Sequence, residues 1–150
     1  MPLARQALHD SGEDIHAALW PAVPDRHQLA SRHYAFEARC FVLAAGSLLR
    51  PSALPPELDI DPARVGGAAF LLRGGSAVIG PDGEYVVAPQ FDSDELIVAD
   101  LDLGRVRRES MTLDVGGHSG RPDCFEFRVH LGTRRSPPAR PDVSRPHLTR

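Results

Sequence analysis

Apolar positions recur along the chain in two rhythms that outline a series of elements. Leu3, Ala4, Ala7 and Leu8 have helical spacing, so residues Leu3 to Ser11 are expected to form a short helix stopped by a left-handed Gly12. Ile15, Ala17 and Leu19 alternate with His16, Ala18 and Trp20, the period of a strand, which Pro21 and Pro24 terminate. Asp25 and Gln28 have the spacing of a capping box, and a second helix follows with Leu29, His33 and Phe36 on one stripe, Ala30 and Tyr34 beside it, and Glu37 at its end. Cys40 to Ala45 lacks polar alternation, which predicts a central strand covered on both faces and ending at Gly46.

The second half is more broken. Residues Pro51 to Gly67 carry turn chemistry without period and predict an irregular connection with room for one helical turn. Ser76–Ile79 and Tyr85–Val87 flank Gly80-Pro81-Asp82-Gly83, the signature of a hairpin. Glu95–Leu101 and Asp123–His130 alternate as strands, the latter with Phe125, Phe127 and Val129 on one face, and Leu103–Ser110 reads as a short helix. Beyond about residue 132 the chain turns proline- and arginine-rich and is expected to be a flexible tail, residues 133–150, after a domain of residues 1–132. Helices alternating with strands, then a hairpin, predict an α/β layered arrangement.

Composition narrows the function more than the fold. The 150 residues are 42% hydrophobic and 25% charged with a net charge of −3, which suits one ordinary soluble domain and gives no basic field for nucleic acid or an anionic membrane. No apolar run approaches a membrane span, so a cytoplasmic location is the default expectation. All 17 basic residues are arginine, so lysine chemistry cannot come from these residues. The two cysteines have no metal-binding or disulfide spacing.

Several segments in register resemble the nitrilase branch of the carbon–nitrogen hydrolases. They are Met1–Arg5, Gly12–Pro21, His33–Val42, Gly75–Gly83, Ala99–Asp102 and Gly117–Asp123. The resemblance implies half of an α-β-β-α sandwich, a mixed sheet with helices packed on one face. It implies hydrolysis of a nitrile to a carboxylic acid and ammonia by a cysteine thiolate, a glutamate and a lysine, with no metal or organic cofactor. In that family the cysteine lies in a Cys-Trp-Glu stretch just before the segment matching Met1-Pro2-Leu3, and the glutamate and lysine lie further upstream. The resemblance therefore transfers no catalytic residue and marks the chain as a C-terminal fragment, inactive alone. The partners it implies are an N-terminal half chain or a second copy, with a small nitrile bound only once the site is completed. Trp20 and Pro21 match a segment near the substrate pocket.

Other residues have plainer readings. Cys40 lies in the strand expected to be buried, where a thiol packs and does not react. Cys124, near His118, Asp123 and His130, reads as a strand cysteine with surface histidines, against a cysteine–histidine pair or metal ligand. His33 reads as a helix histidine, and Arg121 with Asp123 as a local ion pair next to Ser119, where the family has tyrosine. Arg105, Arg107 and Arg108 read as a solvated helix face. The competing reading of the whole is a non-catalytic α/β binding or interaction module, with an enzyme built on Cys124 a distant third.

Overall fold

A computed structural model of the chain describes residues 2–58, 68–121 and 123–129. Helix α1 spans Pro2–His9, strand β1 Ile15–Trp20, helix α2 Asp25–Ala38 and strand β2 Phe41–Gly46. A two-residue strand β3, Leu48–Leu49, precedes two 3-10 turns at Pro51–Ala53 and Pro56–Leu58. The hairpin pairs β4, Leu72–Ile79, with β5, Tyr85–Phe91, and α3 covers Gly104–Ser110. The first helix, both early strands, the hairpin and the last helix thus stand where the sequence places them. The predicted tail lies outside the described residues.

The five strands form one mixed sheet in the order β1-β2-β4-β3, with β5 also paired to β4. The β1–β2 pair is parallel, with Ala17 opposite Leu43, and β2–β4 is antiparallel, with Leu43 opposite Val78. Parallel pairing demands a crossover, and α2 provides it by packing across one face. Beneath α2 the core joins Val42, Ala44 and Ile79 from the sheet to Tyr34 and Ala35 from the helix, with Val23 and Cys40 at its ends.

Four expectations need correction. No capping box forms: Pro24 is the N-cap without a side-chain bond, and Gln28 turns inward, where it is buried. The Leu29–His33–Phe36 stripe faces out, with Leu29 70% exposed, and the buried face is Gln28, Ser31, Tyr34 and Ala35. Strand β2 is central but covered on one face only, since Leu43 and Ala45 are exposed. Neither Glu95–Leu101 nor the described part of Asp123–His130 pairs into the sheet; Leu96 is 90% and Phe125 76% exposed. Alternation alone does not make a strand where no neighbouring edge is presented to it.

The exposed residues of β1 and β2 share a face. Ile15, Ala17 and Leu19 lie opposite Phe41, Leu43 and Ala45, and Leu19 is 81% exposed. This is the face turned away from α2. Apart from Phe41, which lies beneath the Arg105 guanidinium 5.8 Å from its ring centroid, this apolar row is open to solvent. Strand β1 is also a sheet edge, paired only with β2 among the described residues.

Candidate functional site

The parallel strands β1 and β2 both end beside the loop that follows Trp20, the usual position for a ligand in an α/β sheet. That loop is held firmly. The Ser47 amide donates to Pro21 O at 3.1 Å, the Val23 amide to Gly74 O at 2.8 Å, and the Gly46 amide to Ser76 Oγ at 3.0 Å. Gln28 reaches under it from α2, donating from Nε2 to Val23 O at 2.9 Å and Gly75 O at 2.6 Å and accepting from Tyr85 OH at 3.1 Å. One amide side chain thus joins α2, the loop, β4 and β5, which explains why a polar residue occupies the inner face of the helix.

Gly75 completes the arrangement. Its φ of +86° lies in the left-handed region, and a Cβ there would stand 2.5 Å from Val23 O and 2.6 Å from the Phe91 ring. Only glycine meets both conditions.

Beside this loop lies an open groove of about 390 Å³ lined mainly by Ala22, Pro24, Asp25, Leu72, Arg73 and Phe91. It is largely apolar, with one carboxylate and one guanidinium at its margin. Arg73 donates from Nε to Asp92 Oδ1 at 2.9 Å, and this bond holds the Asp92 carboxyl below the usual carboxylate range. Neither cysteine lines the groove. Pro21 is exposed at the loop's start, whereas the Trp20 ring turns onto α2, donating from Nε1 to Ser31 Oγ at 3.2 Å and meeting the His27 ring edge-on at 4.7 Å. Neither residue lines the groove, whose wall on this side is formed by Ala22 and Pro24.

The remaining candidates do not gather here. Cys40 is fully buried, and burial, with Glu13 nearby, pushes its thiol up to about 12, as suits a packing residue. Cys124 is exposed, with Arg121 NH2 donating to Sγ at 3.0 Å. Arg121 and Asp123 form a two-pronged pair at 2.8 Å on each arm, and this bond, foremost, takes Asp123 down to about 2. His118 lies 3.7 Å from Asp114, and His33 is exposed beside Arg5 and Glu37. Arg105 and Arg108 are tied to Asp82 and Asp102, each at 2.7 Å. Among the described residues no His, Cys, Asp and Glu group has the geometry of a metal site. No helix among them is long and apolar enough to cross a membrane.

Sequence reasoning missed Gln28, Gly75 and Arg73. The signals were present, in a glutamine that shares a helix face with Ser31, Tyr34 and Ala35 and a Gly-Gly pair inside a strand, but their meaning depends on which face α2 presents.

Comparison with known proteins bears on the fold and the family. The chain is 36% identical over 135 residues to a nitrilase of Bradyrhizobium diazoefficiens, an alignment covering 86% of this chain and 40% of that protein. It is 37% identical over 147 residues to an arylacetonitrilase of Trametes versicolor, covering 93% and 42%. It thus spans roughly two fifths of the length of these relatives. In fold it resembles the crystal structure of a carbon–nitrogen hydrolase from Helicobacter pylori, with a TM-score of 0.53 at 18% identity over 75% of this chain and 40% of that one. The carbon–nitrogen hydrolase family profile matches residues 1–109, well over half the chain, and the protein belongs to that family.

Proposed function

We propose that these residues supply the C-terminal part of a nitrilase-type site and take part in nitrile hydrolysis only when the nucleophile, base and lysine come from outside the 150 residues. The observation that carries this reading is the open apolar row of Ile15, Ala17, Leu19, Leu43 and Ala45 on a sheet closed by α2 on its other side. Sheet faces of this kind are normally buried against a second layer. The relatives named nitrilases are more than twice as long as the stretch matched here, so they have chain to spare for such a layer.

The chemistry implied is attack of a thiolate on the nitrile carbon, with the lysine stabilising the developing negative charge and the glutamate moving protons. Two waters then convert the bound carbon to a carboxylic acid, and the nitrogen leaves as ammonia. What this chain contributes is the groove wall after Trp20 and Pro21, pinned by Gln28 and Gly75, and the sheet beneath it. Its own thiols have other surroundings: Cys40 is buried in the core, and Cys124 is exposed and does not line the groove.

The test is ammonia release from aromatic and aliphatic nitriles by the purified chain, alone and mixed with an N-terminal piece of a nitrilase relative ending after Cys-Trp-Glu. No release alone and release from the mixture are expected. Release by the chain alone that disappears in Cys124→Ala would overturn the proposal and establish a different nucleophile.

A further inference from the structure

Helix α1 rests on the rest of the chain through very little apolar surface. Leu3 and Leu8 are exposed, and the one buried residue of the helix is His9, whose side chain is 2% exposed. Its ring lies between two carboxylates from different elements. Nε2 is 3.3 Å from Glu37 Oε2 on α2, and Nδ1 is 3.7 Å from Glu13 Oε1 in the connection to β1. Tyr34 meets the ring edge-on at 4.8 Å and donates its hydroxyl to Glu13 Oε1. Burial, then that bond to Glu13, raises the tyrosine so that it stays a neutral donor.

The other ionisable groups of the cluster are accounted for. From β1, His16 Nδ1 donates to Glu13 Oε2 at 2.9 Å, a bond a neutral imidazole can make, with its ring stacked on Tyr34 at 4.0 Å. From α1, Arg5 lies 3.4 Å from Glu37, and from α2, exposed His33 lies 4.0 Å from the same oxygen. Behind Tyr34 stands Cys40, which remains a thiol, and Asp14 lies near it. Two carboxylates thus face one permanent cation, Arg5.

A neutral imidazole carries one N–H, so at His9 one nitrogen can donate and the other must turn a lone pair toward a carboxylate. Nδ1 is buried and makes no hydrogen bond to the described residues, so no donor among them relieves that contact. With both nitrogens protonated, Nε2–H has Glu37 within hydrogen-bond distance, Nδ1 carries its charge 3.7 Å from Glu13, and the charges of the cluster balance two against two.

We propose that His9 takes up a proton between Glu13 and Glu37, and that this proton latches α1 onto α2 and β1 so that docking of the helix follows pH. The latch is closed when His9 is charged and both carboxylates are ionised. It loosens as His9 loses its proton. If the nucleophile precedes Met1 by a few residues, as the functional reading has it, the latch also sets where the thiolate stands. Only this last consequence rests on that reading.

The test is amide hydrogen exchange by NMR on the full 150-residue chain, from about pH 5.5 to about pH 8.5, a window that brackets ordinary histidine titration. After correction for intrinsic exchange, protection of the α1 amides is expected to fall about tenfold across the window while β2 amides hold steady. His9→Gln should remove the pH dependence, and Glu37→Gln should shrink it. Unchanged α1 protection in the wild type, or the same pH dependence in His9→Gln, overturns the latch. Should His9→Gln fail to fold, as its β2 amides would report, the wild-type imidazole nitrogen shifts decide: His9 doubly protonated at the acid end and singly protonated at the alkaline end supports the proposal, and a single protonation state throughout overturns it. No substrate is involved, so failure of the latch and failure of the hydrolase reading are separately visible.

Discussion

Under α2, Val42, Ala44 and Ile79 are buried with Tyr34 and Ala35; on the opposite face of the same strands, Ile15, Ala17, Leu19, Leu43 and Ala45 stand in solvent. The residue types differ little between the two faces. What differs is whether this chain has an element to lay over them, and it has one only for the first. The helix shows the same division in reverse, because its inner face carries Gln28, Ser31 and Tyr34 while Leu29 and Phe36 point outward. A polar inner face is tolerated because its groups are bonded: Ser31 Oγ receives the Trp20 indole N–H and Gln28 is used on three sides. Apolar surface on both outer faces is left for contacts beyond these residues.

The sharpest way to break this comparison is to truncate equivalent side chains on the two faces. Ile79→Ala should destabilise the chain by about 2–5 kcal/mol, the usual cost of a cavity in a packed core. Leu19→Ala should stay within about 0.5 kcal/mol in urea unfolding, as for an exposed substitution. A large loss at Leu19 would mean that the face is already covered in solution, by a second copy for instance, and dilution would then expose it.

Gln28→Met keeps the volume of the side chain and removes its bonding. Val23 O, Gly75 O and Tyr85 OH lose their partner together, so a loss of about 2–3 kcal/mol is expected. The change should also loosen the groove wall. If Gln28→Met is neutral, water replaces the amide and the loop is not held from α2.

How much of this was legible in the sequence follows the same division. Periodicity located β1, α2, β2 and the β4–β5 hairpin because local spacing and turn chemistry decide them, and Gly80-Pro81-Asp82-Gly83 closes as expected, with the Gly83 amide donating to Gly80 O at 2.9 Å. Which stripe of α2 faces in was not legible, since the apolar stripe is the natural choice only when the chain covers all its own surfaces. The segments at Leu96 and Phe125 misled for a related reason, as their alternation suits a sheet edge that these residues do not present to them. Trp20 and Pro21 precede the groove in the chain without lining it, and Gln28 and Gly75 acquire meaning only from a contact between residues 47 apart in sequence.

The two thiols offer the finest contrast between a covered and an open position. Cys40 is buried, and its thiol is pushed from 9.0 up to about 12, so a native chain at pH 8 should show one fast-reacting thiol, Cys124, and a second only after unfolding. The sign of the accompanying pH effect follows from linkage. Above pH 9.0 the unfolded chain releases the Cys40 proton while the native chain keeps it, so the native state binds more protons and stability falls as pH rises. The contribution is fully present below pH 9.0 and is lost toward about 12, and Cys40→Ala should flatten that part of the profile. Two equally fast thiols in the native chain would mean that the β2 end of the core opens freely, and that the α2 face is no better closed than the bare one.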